Sequence, residues 1–373
     1  MRVLHVITTI NRGGAENHLV ALIQEQIKQG LTVKVAYLKG DSYWLDHLVS
    51  LGVEVEGLGL AYYGQLLPLI KLAKSIKRFS PDVIHAHMPP AELYTRLGIK
   101  LLRSRSIFLI SKHNDEPFYK GPLSQILGRW VAKKAEKIIA ISDSVAYYIN
   151  QDLRVDKSKI HTIHYGIDVK PYSEISSQIK SQLRAEWFID DEILVVGTVA
   201  RLVPQKALHV LLASFAKYRS LSKKKSILVI VGRGPLEAEL KSLATQLGIE
   251  KNILWLGFRE DIPAIIKTFD VFALTSKYEG FGLVLLEAMA AATAVVASKV
   301  SAIPEIIKNQ ETGILCEPNA IDQFANAFLR LEDIDYRKKL SIEGFNVAVN
   351  KFTLSKMADQ TLELYKTSLK EMS

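Results

Sequence analysis

Asp270-Val271-Phe272-Ala273-Leu274-Thr275 and, three residues on, Glu279-Gly280-Phe281-Gly282-Leu283-Val284-Leu285-Leu286-Glu287 decide how this chain folds. The first run is short and continuously apolar, the pattern of a buried strand. The second passes two glycines and turns apolar at helical spacing, predicting a helix from Phe281 to Ala292 with Leu283, Leu286, Met289 and Ala290 inward. Glu279 then falls in a strand-to-helix loop and Glu287 within the helix. The unpaired amides and partial positive charge of a helix N-terminus suit a diphosphate between the two acids, leaving the carboxylates to face hydroxyls. Two glutamates eight positions apart also arise by chance, and an acid in a helix's first turns simply complements its dipole.

A second constellation lies upstream, in Gly197-Thr198-Val199-Ala200-Arg201-Leu202-Val203-Pro204-Gln205-Lys206. Ile193 to Val196 predicts a strand, and Arg201 and Lys206 follow it where the helix carrying Leu208, Leu211 and Leu212 begins. Carboxyl ends of strands are where α/β sheets bind ligands. Arginine forks onto one phosphate and lysine places a point charge on the next.

The alternation runs from end to end. Strands are expected at Arg2 to Thr8, Thr32 to Leu38, Val83 to Ala86, Ile107 to Ile110 and Lys137 to Ile141. After a polar stretch from Lys170 to Asp191, read as helix and linker, further strands are expected at Ser226 to Val231, Ile253 to Leu256 and Ala294 to Ala297. Such alternation implies parallel sheets with helices on both faces, and 373 residues are long for one core. The expected class is α/β, two Rossmann-like doubly wound domains over residues 1–170 and 171–353.

One cysteine, Cys316, excludes an intramolecular disulfide and points to a reducing compartment. No cleavage site follows the first apolar run. The longest apolar stretch, Phe281 to Ala297, is broken by Glu287 and is no membrane span. The net charge of +9 sits almost wholly in the first half, where Met1 to Lys170 carries 23 basic against 15 acidic residues and the remainder 25 against 24, and this asymmetry points to an acidic partner or acceptor for the first half. The cations gather in Lys71 to Arg78, Arg96 to Arg105 and Arg129 to Lys137, mixed with apolar residues at helical spacing. That pattern suits helices lying on an anionic membrane, or equally a solvated helix face. No nucleic-acid-binding module is visible. A cytoplasmic protein with peripheral contact at the inner face of the membrane is expected.

In chain order, Gly13-Gly14-Ala15-Glu16, Asp82-Val83-Ile84-His85-Ala86-His87, Lys112-His113-Asn114-Asp115, the Arg201/Lys206 and Glu279/Glu287 runs, Ile303-Pro304-Glu305-Ile306-Ile307 and Thr312-Gly313-Ile314-Leu315 resemble retaining glycosyltransferases of family four, over nearly the whole chain. The resemblance implies the GT-B architecture, two domains facing across a cleft, with the last helix, about Leu354 to Leu369, crossing back to the first domain. It implies transfer of a hexose-type sugar from a nucleoside diphosphate sugar, a UDP-sugar ahead of a GDP-sugar, to a lipid-linked, glycolipid or polysaccharide acceptor. No metal and no cofactor are expected. A sugar-nucleotide epimerase of the same fold and a catalytically silent partner subunit are the alternatives.

The resemblance also implies roles. Arg201, Lys206 and the amides near Phe281, Gly282 and Leu283 would neutralise the leaving diphosphate. Glu279 would bind hydroxyls of the transferred sugar and Glu287 those of the ribose. His113, beside the polar cluster Asn114-Asp115-Glu116, would point at the donor sugar. Gly13 and Gly14 would let phosphates or acceptor approach the backbone, while Glu16 reads as no more than a first-turn acid. Gly232, in Gly232-Arg233-Gly234-Pro235, would line the rim, and Phe258 and Arg259, in Leu256-Gly257-Phe258-Arg259, would meet the base. His85 and His87 are expected to diverge to opposite faces, with His87 nearer the cleft. Ser142 reads as a helix N-cap. Three departures from the family stand out: Arg233 where an acid is usual, and Ala207 and Val300-Ser301-Ala302 where glycines are.

Overall fold

The computed structural model describes residues 1–114 and 122–372. They divide into two compact units, Met1–Gly166 with Leu354–Ser373, and Ile167–Thr353.

The first unit holds seven parallel strands: β1 (Arg2–Ile7), β2 (Thr32–Tyr37), β3 (Glu54–Gly57), β4 (Val83–His87), β5 (Ile107–Lys112), β6 (Lys137–Ala140) and β7 (Ile160–Thr162), in the order β3-β2-β1-β4-β5-β6-β7. The central strands are buried on both faces, which is why they read as continuous apolar runs. The edge strands β3 and β7 are short and half exposed, and no apolar run announces them. The helix Leu354–Met372 completes this unit's core, setting Met357, Ala358, Leu364 and Tyr365 among Val3, Leu22, Val83, Ile107, Leu109 and Ile139. Ser142 does cap the helix Asp143–Gln151, accepting from the Val145 amide at 3.1 Å.

The second unit holds six parallel strands: β8 (Leu194–Val199), β9 (Ser226–Val231), β10 (Ile253–Gly257), β11 (Val271–Leu274), β12 (Ala294–Ser298) and β13 (Ile314–Cys316), in the order β10-β9-β8-β11-β12-β13. The strand expected to stop at Val196 continues to Val199. The polar stretch after Lys170 is two helices, Lys170–Ser173 and Ser177–Glu186. The helix expected over Phe281 to Ala292 is Leu283–Ala290, because Gly282 takes the left-handed φ of +94° at its cap. Its buried residues are Leu285, Leu286, Ala288, Met289 and Ala290, with Leu283 only half-buried.

In each unit the strand order reverses direction once, between β1 and β4 and between β8 and β11. Loops leaving the carboxyl ends of strands on either side of such a switch diverge and leave a crevice, the usual ligand site of open α/β sheets.

Candidate functional site

In the second unit one of the expected cations, Lys206, meets the expected acid Glu279 at the switch between β8 and β11. The loop after β8 carries Arg201, which is exposed, and ends in a short 3₁₀ turn, Pro204–Lys206. The loop after β11 carries Glu279. Backbone and side chain stitch the two together: the Lys277 amide donates to the Gln205 carbonyl at 2.8 Å, the Gln205 amide group to the Tyr278 carbonyl at 3.0 Å, and the Thr275 hydroxyl to the carbonyls of Lys206 and Ala207. Lys206 Nζ then lies 2.5 Å from Glu279 Oε1, which also accepts from the Ser276 hydroxyl at 2.6 Å. Glu279 is only 6% exposed, so this pair is largely withdrawn from water.

The Gly232 loop is held against the same knot. A side chain at Gly232 would strike the Ala200 carbonyl oxygen at 2.0 Å, and one at Gly234 the Leu202 carbonyl oxygen at 2.4 Å. Both glycines are needed for this close backbone packing, sealed by the Leu202 amide on the Arg233 carbonyl at 3.0 Å. Gly257, at φ +64°, lies beneath the Arg233 guanidinium, and its carbonyl accepts from the Gly232 amide at 2.7 Å. Phe258 follows, 49% exposed, and Arg259 forks onto Asp261 at 2.8 and 2.6 Å. Loops after β8, β9, β10 and β11 thus form one edge.

Glu287 stands one turn into the helix that Gly282 opens. Desolvation of its carboxyl, eased by a hydrogen bond from Tyr172, raises its pKa to about 7. Tyr172 lies on the helix Lys170–Ser173 and has no counterpart among the sequence expectations, since nothing in that polar stretch marks it. Phe281 is buried, its ring 5.8 Å from that of Phe352. The two departures Ala207 and Ser301 both adopt left-handed backbone, φ +45° and +43°, which is why glycine suits those positions.

In the first unit Gly13 makes room for Glu16. A side chain at Gly13 would meet Glu16 Oε2 at 2.3 Å, and the buried Glu16 carboxylate accepts from the Thr9 hydroxyl at 2.6 Å. Glu16 is therefore part of the loop's construction, more than a first-turn acid. Gly14 begins the helix Gly14–Lys28 with open space around its Cα. Across the switch, Met88 follows β4 with φ +71°, a strained conformation that sequence reading passes over.

The expected divergence of His85 and His87 is overturned. Residues two apart on a strand share a face, and β4 runs on through His87, so the two rings lie 4.2 Å apart, tilted by 36°, beside His5 of β1. His113 joins them: its Nε2 is 3.2 Å from His87 Nδ1 and its Nδ1 2.5 Å from the Tyr165 hydroxyl. Burial, reinforced by neighbouring Lys112, lowers the His113 pKa to about 3, so its imidazole is neutral across the physiological range. His18 stacks on Tyr165 at 4.1 Å. His5, His85 and His87 could bring three nitrogens within 4.8 Å around an ion, but both nitrogens of each are engaged in hydrogen bonds. Of the polar cluster after His113, Asp115 and Glu116 lie outside the described residues.

The glycosyltransferase family 4 model matches residues 12–170, and that for glycosyl transferases group 1 matches residues 179–346. The UDP-Gal:alpha-D-GlcNAc-diphosphoundecaprenol alpha-1,3-galactosyltransferase of Escherichia coli is 30% identical over 305 residues, 80% of this chain and 78% of that protein. The chain belongs to glycosyltransferase family 4. Another relative, N-acetyl-alpha-D-glucosaminyl L-malate synthase of Bacillus anthracis, is 25% identical over 305 residues, 81% of this chain and 78% of that one. The fold matches that of Anabaena HepE, solved with UDP and glucose, at a TM-score of 0.87 and 23% identity, covering 98% of this chain and 100% of the other. This family 4 glycosyltransferase thus has the GT-B class of fold, built from two parallel α/β units.

Proposed function

We propose that the protein moves a hexose-type sugar, with retention of configuration and without a metal, from a nucleoside diphosphate sugar to a lipid-linked, glycolipid or polysaccharide acceptor. The Lys206–Glu279 pair at the β8/β11 switch carries this reading: one cation and one carboxylate, held 2.5 Å apart by the loops that border the crevice. Cleaving the bond from anomeric carbon to diphosphate leaves negative charge on the leaving group and positive charge on the ring. Lys206, Arg201 and the amides around Phe281, Gly282 and Leu283 meet the first; Glu279 holds sugar hydroxyls and steadies the second. Glu287 receives the ribose hydroxyls. His113, neutral, exchanges hydrogen bonds with the donor sugar and carries no charge. The leaving phosphate takes the acceptor's proton in a same-face attack, so no side chain serves as general base.

A UDP-sugar is preferred because the E. coli relative is named for UDP-Gal and the HepE structure holds UDP. A lipid-linked acceptor is supported by the diphosphoundecaprenol in the relative's name. Contact with an anionic membrane is supported by the helix Leu66–Phe79, which exposes Leu66, Leu67 and Ile70 on a surface shared with Lys71 and Lys74. No helix among the described residues is long and apolar enough to cross a membrane.

The test is nucleotide release from a panel of UDP-, GDP- and ADP-sugars with chelator present, for the intact chain, Glu279→Ala and Arg201→Ala. Release from one donor, lost in both variants, supports the transferase. An epimerised sugar would move the protein to the isomerases, and no turnover or binding of any donor would leave a silent partner.

A further inference from the structure

Four histidines of the first unit belong to one continuous line of hydrogen bonds that passes through the helix Leu354–Met372. From Tyr165 the contacts run to His113 Nδ1 (2.5 Å), His113 Nε2 to His87 Nδ1 (3.2 Å), His87 Nε2 to His5 Nδ1 (3.0 Å) and His5 Nε2 to Gln26 Oε1 (2.8 Å). Gln26 Nε2 faces the Tyr365 hydroxyl at 3.4 Å, which lies 2.6 Å from His85 Nδ1, and His85 Nε2 ends on the Ser111 hydroxyl at 2.7 Å. His5, His85, His87, Gln26, Ser111 and Tyr365 are all buried, so these groups have one another and not bulk water as partners.

A neutral imidazole has one donor nitrogen and one acceptor, so each link dictates the next. The Gln26 carbonyl oxygen can only accept; His5 therefore donates from Nε2 and accepts at Nδ1. His87 must then donate from Nε2 to His5, and His113 from Nε2 to His87. Only the Tyr165 hydroxyl remains to donate to His113 Nδ1. Turning the Gln26 amide over would reverse every proton in the line, so its orientation is the single choice on which the rest depends; the Tyr365 hydroxyl, able to donate or accept, holds the amide's other end in place. Burial holds all four histidines of the network well below their ordinary pKa, His5 at about 4, so the line stays neutral at physiological pH. The charged groups nearest it are Lys112, paired with Glu92 at 2.5 Å, and Glu16 near Tyr165.

We propose that Gln26 and Tyr365 are positioning residues that fix the tautomer of His113, keeping its proton on Nε2 and presenting Nδ1 to substrate as a hydrogen-bond acceptor. A sugar hydroxyl reaching His113 displaces the Tyr165 hydroxyl and donates its own proton. The polarity of that contact is thereby set three histidines away, by Gln26 on the helix Gly14–Lys28, which Tyr365 of the helix Leu354–Met372 contacts. This role rests on the reading that His113 meets the donor sugar; the tautomer itself does not.

Ring-¹⁵N-histidine labelling of the full chain with long-range ¹H–¹⁵N spectra reads each tautomer directly. In the wild type His5, His87 and His113 should all carry their proton on Nε2; a mixture, or Nδ1 protonation at His113, would overturn the proposal without any variant. In Gln26→Leu the His113 signal should become a mixture of tautomers while His47, His161, His164 and His209 keep their shifts. In Gln26→Glu, which retains an acceptor, His113 should stay Nε2-protonated. A single unchanged tautomer at His113 in a folded Gln26→Leu chain refutes the control exerted by Gln26. With a donor in hand, Gln26→Leu and Tyr365→Phe should lower kcat about tenfold, the worth of one hydrogen bond, at unchanged donor KM. If His113→Ala leaves turnover intact, the contact between His113 and sugar fails while the tautomer result stands.

Discussion

Lys206 and Glu279 are separate site residues in the sequence and one charge pair in the fold, and that coupling has a measurable consequence. Lys206→Met leaves the Glu279 carboxylate buried with the Ser276 hydroxyl but no cation, which should cost about 3 kcal/mol of stability. Glu279→Gln should cost a similar amount, and the double variant much less than the sum, by denaturant unfolding; all three should lose donor turnover. Additive losses would show the pair uncoupled. Backbone strain gives a second test at this scale. Ser301 sits at φ +43°, half-buried and without glycine's freedom, so Ser301→Gly should stabilise by roughly 1 kcal/mol and raise Tm by about 3 °C; a lowered Tm would mean the hydroxyl outweighs the strain. Ala207 and Ser301 are visible in the sequence as places where glycine is usual. Their positive φ is not, because the torsion is imposed by loops packing from elsewhere in the unit.

At the scale of elements, the central strands were legible because burial on both faces leaves an unbroken apolar run, as in Val271-Phe272-Ala273-Leu274. Glu-Val-Glu-Gly of β3 leaves no such trace: it is placed by pairing with β2, where its glutamates close on the buried Lys34. The helix start at Leu283 and the joining of Tyr172 to Glu287 were likewise beyond local reading. That second contact bears on pH. Folded Glu287 keeps its proton up to about pH 7, whereas an unfolded glutamate releases it near 4.5. The folded state therefore binds more protons across that window, and stability should fall as pH rises from 4.5 to 7. Unfolding measured at pH 5 and pH 8 should show Glu287→Gln flattening that fall; an unchanged slope would assign it to other groups. The helix Leu66–Phe79 offers another test. Sedimentation with vesicles should show binding to phosphatidylglycerol but not phosphatidylcholine, weakened severalfold by Leu67→Glu or Ile70→Glu; equal binding by variants would return the cations of this helix to a plain solvated face.

For the whole molecule, the division into units differs from a simple cut along the sequence. Residues 167–353 are contiguous and hold their own core, from Leu194 and Phe215 to Phe324 and Leu340. Expressed alone they should unfold in one cooperative step. Residues 1–166 lack Met357, Ala358, Leu364 and Tyr365, and should be unfolded or aggregate alone yet recover on adding a peptide of residues 354–372. Cooperative folding of 1–166 without that helix would show it to be dispensable.

The return of the last helix to the first unit has a meaning for biosynthesis. A chain emerging from the ribosome amino end first normally completes its domains in that order. Here the unit begun first lacks its closing helix until residues 354–372 have been made, after the whole of the second unit. The nascent protein must carry an open apolar seam on its first unit while all of residues 167–353 are made, and a chain stalled before that helix would be released with the seam uncovered.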